Sequence, residues 1–315
     1  MKINYFKQKQ FPWKNTIFIV GLPRSGKSTI YNILSSCNNT ESLEEPFSIL
    51  SIAQKASLYE VGSKAYLDFI DLYLSNAEVL FNELSMGRIY NFRKIDKSYI
   101  YNYKTHKRVK FSHSLKRQID VVEYTNRTDL NFILAMNDIE RCLDFLVNPM
   151  PNPFIVKTKR NIIDIAYEIS EKAWLSDESL MSHINITPAF CEKVRYKSKD
   201  IFIPYLISSD DIELFLSLSL LERSVMFSFL QDKFLKSSIQ RINKNVIEID
   251  FEDIVKKPKK TLNELISRIG LQPTKITRKT LKELQGSEIF YSKRKISDMG
   301  FSSKLIDFIK QRSDI

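Results

Sequence analysis

Two glycines five positions apart, Gly21 and Gly26, run directly into Lys27, Ser28 and Thr29, and this group of residues is the best equipped in the chain to hold an anion. Glycine lets a backbone approach a ligand closely, and a neighbouring lysine adds a point charge. The chain has 7 glycines in 315 residues, so this placement is not scattered composition. Upstream, Ile17, Phe18, Ile19 and Val20 read as a buried central strand. Downstream, STIYNILSSC from Ser28 onward reads as a helix whose first N–H groups and positive dipole end face the turn. Gly21 to Ser28 therefore satisfies G-x-x-x-x-G-K-S in the strand–turn–helix setting that a phosphate-binding loop requires, with Pro23, Arg24 and Ser25 inside the turn.

Elements elsewhere must position this loop. Lys64 to Leu84 places Tyr66, Phe69, Ile70, Leu72, Tyr73, Val79, Leu80 and Leu84 at helical spacing, predicting a long amphipathic helix. NNTESLEEPFSIL reads as a loop, and Arg88 to Lys116 as a loop or hairpin lid. Further strands are expected at Pro153–Lys157, Ile201–Ile207 and Val246–Ile249, with helices from Asn161 to about Ala173 and from Asp210 to about Ile242. Strands alternating with helices imply a parallel, doubly wound sheet. Phe215, Leu218, Phe227, Phe229 and Phe234 form a stripe that reads as core.

A chain of this length with 43% hydrophobic residues can bury a large core. A net charge of +11 suits an anionic cofactor or substrate, although a lysine-rich solvated face accounts equally well for much of it. The charge is diffuse and carries no nucleic-acid recognition motif. Cys37, Cys142 and Cys191 are widely spaced without C-x-x-C, which points to a reducing compartment and no metal site. No signal peptide or spanning segment is visible near the N-terminus, so a cytoplasmic protein is expected.

Three fragments together resemble the sulfotransferases that use 3′-phosphoadenosine 5′-phosphosulfate (PAPS). Pro23-Arg24-Ser25-Gly26 resembles the core of their 5′-phosphosulfate loop. In VIEIDFEDIVKKPKKTLNELISRIGL, the residues Phe251-Glu252-Asp253-Ile254, Pro258 and Ile269-Gly270-Leu271 resemble their strand–FEDI–Pro–helix–glycine segment. Glu45-Pro46-Phe47 resembles the Glu-Pro that follows the loop helix in carbohydrate sulfotransferases. The resemblance implies a single α/β domain over 1–315, a P-loop-like parallel sheet flanked by helices, with 50–150 an inserted acceptor-binding region. It implies a nucleotide co-substrate, PAPS, and transfer of a sulfuryl group to a hydroxyl or amine of a carbohydrate or glycoconjugate without a metal.

On that resemblance Pro23, Arg24, Ser25, Gly26, Lys27, Ser28 and Thr29 bind the cofactor, and Arg24 and Lys27 stabilise charge developing in transfer. For the 3′-phosphate two segments compete. Arg160-Asn161 and Asp164 follow a strand, but Glu168 stands where a serine is expected, with Ser170 two residues on. The Ile201–Ser219 segment has the strand–turn–helix shape and lacks the arginine; in that alignment Lys157 and Arg160 form a basic strand end. Glu45 is the first candidate for general base, Glu44 the second and His106, in Lys-Thr-His, the third. His113 and His183 have no supporting context, while Lys104, Lys107, Arg108, Lys110, Lys116 and Arg117, and Lys293-Arg294-Lys295, are acceptor or cofactor contacts or merely charged surface.

Lys27 stands where the family usually has threonine, and Lys27-Ser28 equally fits a kinase using ATP and magnesium. Its magnesium partner would be sought in Ile247-Glu248-Ile249-Asp250. A degenerate, non-catalytic relative is the third reading.

Overall fold

The computed structural model describes residues 11–85, 130–182, 191–242, 245–284 and 300–313. The strand before the glycine turn is β1 (Asn15–Val20), and the turn feeds helix α1 (Lys27–Ser35). Then come β2 (Thr40–Glu44), α2 (Phe47–Ala56) and α3 (Lys64–Ser85). Beyond them lie β3 (Asn131–Ala135), α4 (Leu143–Val147), β4 (Pro153–Lys159), α5 (Ile162–Glu171) and α6 (Asp177–Ser182). The rest comprises β5 (Cys191–Tyr196), β6 (Lys199–Pro204), α7 (Ile212–Ser217), α8 (Leu220–Gln240), β7 (Asn245–Asp250), α9 (Phe251–Lys256), α10 (Pro258–Ile269), α11 (Lys275–Leu284) and α12 (Ser303–Ser313).

Five strands pair in the order β2-β3-β1-β4-β7, and every pairing is parallel. Side chains of a strand alternate between faces, and β1 divides accordingly. Phe18 and Val20 enter a core with Tyr73 and Phe81 of α3, Ile163 of α5 and Phe227 of α8, whereas Ile17 and Ile19 enter another with Ile30 and Leu34 of α1 and Leu265 of α10. Helices thus cover both faces, which is why the central strands are apolar throughout. The expected P-loop-like α/β sheet is present.

Three local expectations need correction. Thr40–Glu44 is not loop but a fully buried edge strand, and Phe47–Ala56 is a helix. The Ile201 strand does not join the parallel sheet: β6 pairs antiparallel with β5 in a separate two-stranded ribbon, turning at Lys197 and Ser198. On α3, Leu72 and Val79 face outward at 52% and 58% exposure, and Leu74, Ala77 and Phe81 take their places in the core. The α8 region bears out the core stripe, with Phe215 and Phe227 buried and Phe229 and Phe234 packed against them. Part of 50–150 also belongs to the scaffold, because β3 lies between β2 and β1. No helix among the described residues is long and apolar enough to cross a membrane.

Candidate active site

The glycine turn lies at the C-terminal end of β1, the edge where open parallel sheets carry their ligand sites. Gly26 takes a left-handed conformation, φ 94°, at the start of α1, and no side chain caps that helix end. The first N–H groups of a helix have no intrahelical partner, so this end offers donors to an anion. Above it opens a cavity of about 510 Å³, within the range of small-molecule sites, lined by Pro23, Arg24, Gly26, Lys27, Ser28 and Thr29. Glu44 and Glu45 border it from the end of β2, Asn137 from the end of β3, and Arg160 from the end of β4. Ser25 serves differently: its hydroxyl donates to the Leu22 carbonyl at 2.6 Å and meets Thr158 Oγ1 at 2.5 Å, tying the loop to β4.

Lys27 is buried, with its ammonium folded back to donate to the carbonyls of Gly21 and Leu22, the latter at 2.7 Å. Burial lowers its pKa to about 8, against the opposing attraction of Glu140, Glu45, Asp138 and Glu44. Arg24 has a left-handed backbone, φ 64°, as does Glu45 at φ 51°. Such conformations are costly for residues with a side chain and concentrate at ligand sites. The Glu45 N–H donates to the Ala135 carbonyl at 2.8 Å and its carboxylate accepts from Asn137, which fixes it at the cavity edge. Glu44 accepts from Ser28 Oγ at 2.9 Å.

Arg160 sits one residue beyond β4 and donates to the Arg24 carbonyl at 2.8 Å. Its guanidinium lies 4.6 Å from the centre of the Phe251 ring, and that ring also abuts Gly26. Glu168 of α5 joins both arginines: one oxygen is 2.5 Å from Arg24 Nε and the other 2.5 Å from an Arg160 terminal nitrogen. Burial opposes the charge on Glu168, yet hydrogen bonds from the two arginines outweigh it and hold the carboxyl below its usual pKa.

The structure thus brings the loop residues, Glu44, Glu45 and Arg160 together. Of the two candidate 3′-phosphate segments only the first reaches the cavity, through Arg160 and Glu168; no residue of Ile201–Ser219 lines it. His106, His113, His183, the Lys104–Arg117 group and Lys293–Lys295 lie outside the described residues. Asn137, Lys172, Trp174 and Phe251 line the cavity without having been singled out as site residues. Asn137 was findable, because NFILA is a short apolar run that ends in Met-Asn-Asp and reads as a strand with a polar exit.

A parallel sheet whose central strand delivers a glycine loop to a helix N-terminus defines a P-loop-like α/β fold. No protein-family model matches the chain, and no curated protein matches it. Among solved structures it is similar to the sulfotransferase STF1 of Mycobacterium tuberculosis, at 12% identity over 95% of this chain and 76% of that one, with a TM-score of 0.43. The sulfotransferase STF9 of Mycobacterium avium gives 12% identity, the same coverage and a TM-score of 0.46. The sulfotransferase domain of the Synechococcus olefin synthase gives 10% identity over 98% of both chains and a TM-score of 0.40. Overlaps of this size carry no functional detail; the cavity's own residues must supply it.

Proposed function

We propose that the chain is a sulfotransferase that moves a sulfuryl group from PAPS to a hydroxyl or amine, with a carbohydrate or other glycoconjugate as acceptor and part of 50–150 contacting it. The observation that carries this reading is the convergence of Arg24, Lys27 and Arg160 on one nucleotide-sized cavity at a helix N-terminus, with a fixed carboxylate, Glu45, at its edge. In transfer the acceptor oxygen forms a bond to sulfur, the bond from sulfur to the bridging oxygen breaks, and negative charge grows on that leaving oxygen. Loop N–H groups, Arg24 and Lys27 stabilise that charge. Glu45 takes the acceptor's proton. Trp174 offers a flat wall for a purine, and Arg160 offers a fork suited to a phosphate.

Glu45→Gln is expected to keep nucleotide affinity while turnover falls about 10²-fold or more, as removal of a general base does. Equal loss of affinity and rate would make Glu45 a structural residue, and an unchanged rate would pass the role to another group.

A second reading, a kinase using ATP and magnesium, is favoured by two features. Ser28 Oγ is 2.9 Å from Glu44, and the buried Asp138 follows β3, the strand beside β1. The earlier candidate, Ile247–Asp250, lies instead on β7 at the far edge of the sheet. Melting curves separate the readings without knowledge of the acceptor. A ligand specific for the folded state stabilises it by about 2.7 kcal/mol at a hundredfold excess over its Kd, a shift of several degrees. The expected result is such a shift with 3′-phosphoadenosine 5′-phosphate in EDTA and less with ATP and magnesium. A larger, magnesium-dependent ATP shift would establish the kinase, and none with either would favour a non-catalytic relative.

A further inference from the structure

Glu168 is an anion already seated where the cavity's arginines would receive one. Its two oxygens span Arg24 and Arg160, the placement a phosphate or sulfate takes between two guanidinium groups. Positioning of the arginines is the ordinary explanation for such a carboxylate, but Arg160 does not depend on it. Its side chain is only 6% exposed, and it is separately held by the Arg24 carbonyl and by the face of Phe251. The buried Arg160 Nε has no hydrogen-bond partner, so the protein does not satisfy every donor of this guanidinium. Arg24, by contrast, is 45% exposed and reaches toward Glu168 from the loop, while Glu168 at 28% exposure keeps a route to solvent. The carboxylate can therefore leave and leave Arg160 in place.

We propose that Glu168 is a resident competitor for the ligand's anionic group, a selectivity residue that an incoming phosphate or sulfate must displace from Arg24 and Arg160. Each anionic ligand then binds at the expense of two charge-assisted hydrogen bonds, and the cavity favours ligands whose anion does better than a carboxylate at that point. A group that cannot displace Glu168 is repelled by it. The proposal rests on the cavity taking an anionic ligand, and it does not require that ligand to be a sulfuryl donor.

Calorimetric titration with inorganic pyrophosphate tests it on the wild-type chain, Glu168→Gln and Glu168→Ala, each checked by a melting curve. The expected result is affinity tighter by tenfold or more in the folded variants, because the amide or methyl no longer occupies the guanidinium groups as an anion. Unchanged or weaker binding in both would overturn the proposal and make Glu168 a positioning residue. So would failure of both to fold, or no binding to any of the three. A parallel titration with 3′-phosphoadenosine 5′-phosphate keeps the two readings apart. Tighter pyrophosphate binding in the variants with no binding of that nucleotide to any protein would sustain the competitor and end the sulfuryl-donor reading.

Discussion

Lys27→Ala should lower turnover about 10²-fold or more while changing stability by only about 1–2 kcal/mol, which single-turnover rates and melting curves together would measure. The disparity is expected because the ammonium's hydrogen-bond partners in the free protein are two loop carbonyls, which water can satisfy, whereas in the proposed transfer charge growing on the leaving oxygen has no such substitute. The same side chain predicts a pH response. Its pKa of about 8 leaves it an ammonium below that value and an amine above it. A bound anion favours the ammonium and raises the pKa of the complex. Affinity for pyrophosphate should therefore fall as pH rises from about 8, and Lys27→Arg, charged throughout, should flatten that dependence. A flat profile in the wild-type chain would remove Lys27 from the anion site.

Gly21→Ala should be the most damaging single substitution in the loop, costing roughly 3 kcal/mol or more, from backbone strain and overpacking combined. Gly21 has φ 145°, and an added Cβ would lie 2.1 Å from Thr158 Oγ1 and 2.8 Å from the Thr158 carbonyl. Rotation of the threonine would relieve the first contact but not the second, which is backbone. Gly26→Ala should follow closely, since its Cβ would meet the Phe251 ring at 2.6 Å with φ 94°. Gly62→Ala is the control: φ is 87° but nothing lies within 4 Å, so about 1 kcal/mol of strain is all it should cost. Denaturant midpoints for the three variants would rank them, and a Gly21 variant no worse than the Gly62 variant would contradict the loop's described packing.

The loop was legible because its composition departs from its surroundings: apolar β-branched residues, then glycines, then Lys-Ser-Thr, each reporting a local requirement. The FEDI segment was legible for the same reason, with Pro258 opening α10 and Gly270 closing it at φ 79°. Thr40–Glu44 was not, because burial there falls on Thr40, Glu41, Ser42 and Glu44, polar residues that hydrophobic patterning assigns to solvent. Glu44 and its neighbour Glu45 border the cavity at the end of this strand, and polar residues at such an edge hide a strand from hydrophobic patterning. The β5–β6 ribbon escaped notice as a hairpin because its turn uses Lys197 and Ser198 at positive φ in place of the glycine or asparagine that normally marks one. Glu168 could be named from sequence as an oddity, but its two arginine partners are brought to it only by the sheet.

The strand order also fixes a sequence in time. β1 and its loop are made before their partners, for β1 finds its neighbours only in β3, 116 residues further along at the Asn15–Asn131 contact, and in β4, 138 residues along at the Val20–Thr158 contact. Phe251, which closes over Gly26, comes later still. Pairings between segments so distant form slowly, since the intervening chain must be gathered first. Throughout that interval the apolar run Ile17–Val20 has no partner strand, and a nascent chain must keep this sheet-prone segment from pairing with another molecule. The glycine loop is thus made before the strands and the ring that complete its surroundings.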